Sequence, residues 1–236
     1  MEDIVDKKLR IMDIQVGIEV QIEYMRLLAK IGKPLSTDKD IANAQHQLSL
    51  PDTTLLNKKK CLVKLAMLDK VEILRYLEQY AKDAAEDVRP FAQMAAFHSQ
   101  LLIESALLGE SPMVVASGMG GKNNCLRFFV ALIPLAKKPL SETQKQLIQK
   151  EFSYVSHDYS ASIEGDIDFL GKYPKFTMLA PFQTNPGQIV SESIKLCNEL
   201  GTFLKNGAVI SNVKCFDDKE VDNIWRGLNK RQLERD

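Results

Sequence analysis

Met113-Val114-Val115-Ala116-Ser117-Gly118-Met119-Gly120-Gly121-Lys122-Asn123-Asn124 runs directly into Cys125-Leu126-Arg127-Phe128-Phe129-Val130-Ala131-Leu132-Ile133. The chain changes character across this stretch. Upstream, apolar residues recur at helical spacing; downstream, strand-like and helix-like segments alternate. Residues 113–117 and Cys125–Ile133 each read as a strand, the second ending at Pro134. Gly118–Asn124 between them reads as a hairpin loop, because glycine and asparagine accept positive φ. The stretch is thus expected to open a C-terminal domain of residues 111–236, after a helical domain of residues 1–110.

Downstream, Ser141-Glu142-Thr143-Gln144 has capping-box form and predicts a helix through His157, with Leu147, Ile148, Phe152 and Val155 inward. Residues 163–170 and 175–182 read as extended and are interrupted by Gly171, Tyr173 and Pro174, so they form one bent strand or a second hairpin. Asn185-Pro186-Gly187-Gln188 predicts a helix start with an Asn cap, proline at the first helical position and Gln at the capping-box position. That helix stops at Gly201. Ala208–Phe216 reads as another strand. Asp217-Asp218-Lys219-Glu220 is a further capping box, placing Val221, Ile224, Trp225 and Leu228 inward. The order suits a two-layer α/β sandwich with a mainly antiparallel sheet and helices on one face. The fold class expected for the whole chain is α+β.

Upstream, Ile14, Val16, Ile18, Val20 and Ile22 alternate as a strand would. Ile4, Ile11, Ile14, Ile18, Ile22 and Met25 also follow helical steps, and Leu9, Val16, Val20, Leu27 and Ile31 form a stripe beside them. Two adjacent stripes favour one long helix over residues 4–31 with a wide apolar face, ending near Gly32. A short helix follows around Ile41–Leu48. Three more are expected at Leu55–Leu68, Lys70–Lys82 and Glu86–Leu108.

The segments Leu68-Asp69-Lys70-Val71-Glu72-Ile73-Leu74-Arg75-Tyr76-Leu77-Glu78 and Lys82-Asp83-Ala84-Ala85-Glu86-Asp87-Val88-Arg89, followed by Ala92 and Ala95-Ala96, resemble a HEAT-type helical repeat. In that family an Asp-Val-Arg step opens the second helix of a repeat and alanines follow at this spacing. A fainter copy 31 residues earlier aligns Cys61 with Ala92 and Leu65 with Ala96. The resemblance covers residues 55–109 and implies a stacking surface for a protein partner. An ordinary helical bundle is the alternative.

Composition narrows the function classes. Hydrophobic residues make up 45% and charged residues 26% of the 236-residue chain, as in ordinary globular proteins. The formal net charge is +0, so no overall nucleic-acid footprint exists. No apolar run reaches the roughly 20 residues of a membrane-spanning helix, and Met1-Glu2-Asp3-Ile4-Val5-Asp6 is acidic where a signal peptide is basic. A cytoplasmic location without a membrane partner is expected. Cys61, Cys125, Cys197 and Cys215 lie far apart without CxxC spacing, which predicts buried free thiols rather than a zinc or redox site.

Three candidate sites stand out. In the first, Ser117, Gly118, Gly120, Gly121, Lys122, Asn123 and Arg127 could hold an anion, the backbone N–H groups of the glycine loop cradling it beside a lysine. The spacing departs from a nucleotide loop: Gly118 lies too close to Gly121-Lys122, and Asn123 stands where Ser or Thr would hold magnesium. A plain tight hairpin is the alternative. The second candidate is acidic, Asp158, Glu164, Asp166 and Asp168; the last three alternate and so could face one divalent cation, or could be solvated charges on an edge strand. Neighbouring His157-Asp158 reads as a helix C-terminus. The third is Lys122, Arg127, Lys137 and Lys138 interleaved with Phe128 and Phe129, a pattern able to stack single-stranded RNA. Phe128 and Phe129 point to opposite faces, however, and no RNP signature is present. His98 has no ligand-forming neighbour one helical turn away and reads as a satisfied histidine.

No catalytic constellation, cofactor motif or metal site is recognised. The leading expectation is a non-enzymatic interaction or regulatory protein that binds a protein partner on a helical surface. The alternatives are an α/β domain sensing or acting on a small anion through Gly118–Lys122, and an RNA- or ribosome-associated protein. Homo-oligomerisation is compatible with each.

Overall fold

A computed structural model of the chain describes residues 9–233, with side chains through Leu228. The fold is α+β and divides into two compact units, Met1–Gly118 and Met119–Asp236.

The first unit contains β1 (Leu9–Ile11), α1 (Ile18–Ile31), α2 (Asp38–Ser49), α3 (Leu55–Ala66), α4 (Val71–Asp83), α5 (Arg89–Leu108) and β2 (Met113–Val115). The single long helix expected over residues 4–31 does not form within the described residues; Ile4 lies outside them. Leu9–Ile11 is a strand paired in parallel with Met113–Val115. The helix begins only after Gly17, whose extended ψ of 145° terminates the strand-like segment. Met12 and Val16 are buried from that segment, whereas Ile22 and Met25 on α1 are 45% and 58% exposed. The wide apolar stripe was therefore two structures read as one. Gly32 does end α1, in the left-handed region at φ 64°.

Thr37 and Thr54 cap α2 and α3 by accepting backbone N–H bonds from Asp40 and Asn57. Helix α5 starts at Arg89 rather than Glu86, with Pro90 in its first turn, where a missing N–H costs nothing. Its alanines Ala92 and Ala95 are fully buried, so the facing helices approach closely. Tyr24 of α1 packs on Phe91, ring centroids 5.1 Å apart, and its hydroxyl lies 2.8 Å from Nδ1 of His98. His98 is thereby satisfied.

The second unit contains β3 (Gly121–Lys122), β4 (Cys125–Pro134), α6 (Glu142–Asp158), β5 (Ser162–Asp168), β6 (Lys175–Pro181), α7 (Pro186–Glu199), β7 (Leu204–Ser211) and α8 (Asp218–Leu233). Its five strands make one antiparallel sheet in the order β3-β4-β6-β5, with β7 also beside β4. The expected hairpin between residues 113–117 and Cys125–Ile133 is absent, because β2 is taken by β1. In its place a two-residue turn, Asn123-Asn124, joins β3 to β4 with φ of 51° and 62°. Both values are positive, as a tight hairpin whose twist matches its strands requires.

β4 is buried on both faces. Val130 and Leu132 pack with Ile148 and Phe152 of α6 and Ile189 and Ile194 of α7. Phe129, Ala131 and Ile133 face the other way and pack with Val221, Ile224 and Trp225 of α8. Helix α8 therefore covers part of the sheet face opposite α6 and α7. The capping boxes at Ser141 and Asp217 form as expected. That at Asn185 does not: its side chain accepts from Gly187 N–H, while Gln188 turns to Tyr159 and Glu192. The strand expected at Ala208–Phe216 lies at Leu204–Ser211. Asn198 fixes its start, accepting from the N–H groups of Phe203 and Leu204 and donating to Leu204 O. Leu228, expected inward, is exposed.

Candidate functional site

The glycine loop turns its oxygens inward. The backbone N–H of Arg127 donates to Gly120 O at 3.1 Å, and its Nη1 donates to Gly121 O at 3.0 Å and Met119 O at 3.4 Å. Its Nε and Nη2 reach the two oxygens of Glu164 at 2.7 and 3.1 Å. This contact holds the Glu164 carboxyl below its ordinary range. Three successive carbonyls thus face Arg127, whose charge a carboxylate already meets. An anion cradle needs the opposite polarity, with successive N–H groups converging. Lys122 and Asn123 are exposed at the turn. Ser117 and Gly118 belong to the first unit. Ser117 is buried there, its carbonyl accepting from Nε2 of Gln21 at 3.0 Å.

The acidic candidates are also dispersed. The register between β5 and β6 shifts between Glu164 and Asp168, breaking the alternation that would have aligned Glu164, Asp166 and Asp168. Glu164 pairs with Arg127, and Asp168 accepts from Leu170 N–H. Among the described residues no three His, Cys, Asp or Glu side chains converge as metal ligands would. The four cysteines are free thiols; Cys215 is exposed rather than buried, and burial pushes the Cys197 thiol up to about 12. Phe129 is buried edge-on against Phe216, which removes it as a stacking platform.

The basic candidates separate along β4. Lys122 and Arg127 lie at its beginning, while Lys137 and Lys138 follow its end. There they meet side chains that the sequence keeps far apart. A cleft of about 830 Å³ is lined by Lys137, Lys138, Lys145, Lys172, Lys205 and Arg226, with Asp222 the one carboxylate among the described lining residues. Phe169, Tyr173 and Trp225 also line it. Antiparallel pairing builds this cluster. Leu204 of β7 sits opposite Pro134 of β4, and Lys175 of β6 opposite Ala131, so the loops after β4 and before β6 come together with Lys205.

Asp222 offsets part of the charge. It accepts from Lys172 Nζ at 2.6 and 2.7 Å and from Tyr173 Oη at 2.6 Å. The Lys172 contact, then that of Tyr173, depresses the Asp222 carboxyl, and Asp222 raises the Lys172 ammonium in turn. Burial, then the bond to Asp222, raises the Tyr173 phenol. Lys145 pairs with Glu142 outside the cleft lining. Lys137, Lys138 and Lys205 form no ion pair among the described residues. Trp225 is the chain's one tryptophan. Its indole N–H is buried and has no hydrogen-bond partner among the described residues, and Lys205 Nζ lies 5.9 Å from its ring centroid. The arrangement can neutralise and orient a multiply charged anion. The lysine bonded to Asp222 is held protonated.

Of these residues only Lys137 and Lys138 stand out in the sequence, and there they group with the wrong partners. Lys145, Lys172, Lys205 and Arg226 carry no local pattern that marks them, and the capping box at Asp217 marks Trp225 as an inward residue only. No protein-family model and no curated protein sequence matches the chain.

Proposed function

We propose that this chain is a non-enzymatic binding protein whose second unit takes a phosphate-bearing anion in the basic cleft at the end of β4. The observation that carries this reading is the convergence of six cationic side chains around one cleft, with a single carboxylate among the described lining residues. Such a concentration of like charge raises the local concentration of an anion and is relieved by binding one. Free thiols at Cys61, Cys125, Cys197 and Cys215 support a reducing, cytoplasmic setting.

Trp225 gives a direct test, because every tryptophan signal comes from the cleft lining. Titration with pyrophosphate or inositol hexakisphosphate should shift its emission, with affinity falling as salt rises. Lys137→Gln combined with Lys205→Gln should weaken both responses. Unchanged emission and unchanged melting temperature with either anion would remove the proposal.

A second reading concerns the first unit, as a HEAT-like helical stack that offers a surface to a protein partner. Ile22 and Met25, one turn apart and exposed on α1, support it. Recovery of the same partner by the wild type and by Ile22→Ser/Met25→Ser would count against it.

A further inference from the structure

We infer that the basic cleft docks on the surface of an anionic lipid bilayer, an inference that rests on the proposed anion site. Two loops at the cleft pair leucine with lysine. After β4 the chain reads Leu135-Ala136-Lys137-Lys138, and between β5 and β6 it reads Leu170-Gly171-Lys172. Leu135 is 55% exposed and Leu170 99% exposed, and both line the cleft.

These leucines are held out by a braced backbone. Leu170 N–H donates to Asp168 Oδ1 at 2.8 Å. Two residues on, Lys172 N–H donates to Asp218 Oδ2 at 2.9 Å, while its ammonium binds Asp222. The Leu135 N–H donates to Phe203 O at 2.8 Å. The backbone is fixed at each leucine, yet folding buries less than half of Leu135 and almost none of Leu170.

Charge and apolarity together select the occupant. A free phosphate compound would satisfy the lysines but leave both leucines in water. A single-stranded nucleic acid would stack on exposed rings, whereas in the cleft Tyr173 is buried and Phe169 and Trp225 are half-buried, each packed against a core. An anionic leaflet meets both features: its headgroup phosphates face Lys137, Lys138, Lys172, Lys205 and Arg226, and the leucines enter the boundary with the acyl chains. Membrane contact of this kind needs no spanning segment. Among the described residues no helix is long and apolar enough to cross a membrane, so the proposed contact is peripheral, and it departs from the sequence-based expectation of no membrane partner.

The test is co-sedimentation of the full chain with vesicles of phosphatidylcholine alone and of phosphatidylcholine with phosphatidylserine, beside the inositol hexakisphosphate titration of Trp225. Binding only to the anionic vesicles is expected. Leu135→Ser/Leu170→Ser should weaken it about ten-fold, several-fold more than it weakens the soluble titration. Lys137→Glu/Lys138→Glu should weaken both, by roughly five-fold or more per lysine on vesicles. Soluble binding without vesicle binding overturns the membrane inference and leaves the anion site standing. Vesicle binding that ignores the leucine substitutions overturns it too, as does a single-stranded RNA oligomer that displaces the vesicles and is equally indifferent to the leucines. Loss of every response overturns both proposals.

Discussion

Arg127 on β4 and Glu164 on β5 are joined by two parallel N–H···O bonds of 2.7 and 3.1 Å although β6 runs between their strands. The same guanidinium holds the carbonyls of Met119 and Gly121. The pair thereby locks the glycine-rich entry of the second unit onto the far side of its sheet.

Glu164→Gln should therefore destabilise the second unit by about 1–2 kcal/mol at neutral pH, discounted for partial exposure. Because Arg127 lowers the Glu164 carboxyl below its ordinary 4.5, the unfolded chain takes up the proton first as pH falls. The contribution is full above pH 4.5 and is lost as pH drops through the lower folded value. Chemical denaturation of wild type and variant should converge in acid. A gap that stays constant down to that range would contradict this origin.

His98 behaves as a second acid-sensitive element. Burial holds its imidazole below the ordinary 6.5, so below that pH the unfolded state binds a proton the folded state refuses. The first unit should lose stability as pH falls from 6.5 and level off beneath the folded value. Tyr24→Phe, which removes the partner of Nδ1, should cost about 1–2 kcal/mol near neutrality, read from denaturant midpoints.

Gly207 on β7 sits at φ 148°, and a Cβ there would stand 3.2 Å from Cη2 of Trp225. Gly207→Ala should cost about 1–3 kcal/mol and displace the indole. A change in Trp225 emission without ligand, together with a lower melting temperature, is the expected pair of observations.

Asp222 competes with any anion for Lys172. Asp222→Asn should tighten pyrophosphate binding roughly two- to five-fold at low salt, the advantage shrinking as salt is added. Isothermal titration at two ionic strengths measures it.

The cap of α6 stands beside the cleft, with Leu140 before it and Lys145 one turn after it both in the lining. Ser141 accepts from Gln144 N–H, and Gln144 Oε1 accepts from Ser141 N–H at 2.9 Å. Ser141→Ala should cost about 1 kcal/mol, read from the denaturation midpoint.

What was legible in the sequence was local. Gly32 and Ser141 mark helix ends because a left-handed terminator or a reciprocal side-chain cap acts within a few residues, and both are found where expected. Phe128 and Phe129 fall on opposite faces because a strand has a period of two. The stretch at residues 9–16 misled because its apolar residues fit both a helical and an extended pattern, and a remote strand, Met113–Val115, decided between them.

The sequence by itself determined the α+β class, the helices from α2 to α5, and the caps of α6 and α8, since each depends on neighbours along the chain. Only the tertiary structure decided which strands pair, and with that the site. Lys137, Lys172, Lys205 and Arg226 become neighbours because hydrogen-bonded ladders bring the end of β4 and the beginnings of β6 and β7 to one end of the sheet, with α8 packed on its face. The same ladders carry Lys122 and Arg127 to the other end. Charge clustering of this kind depends on strand register, and register follows from burial on both faces of β4 rather than from any residue's nearest neighbours in sequence.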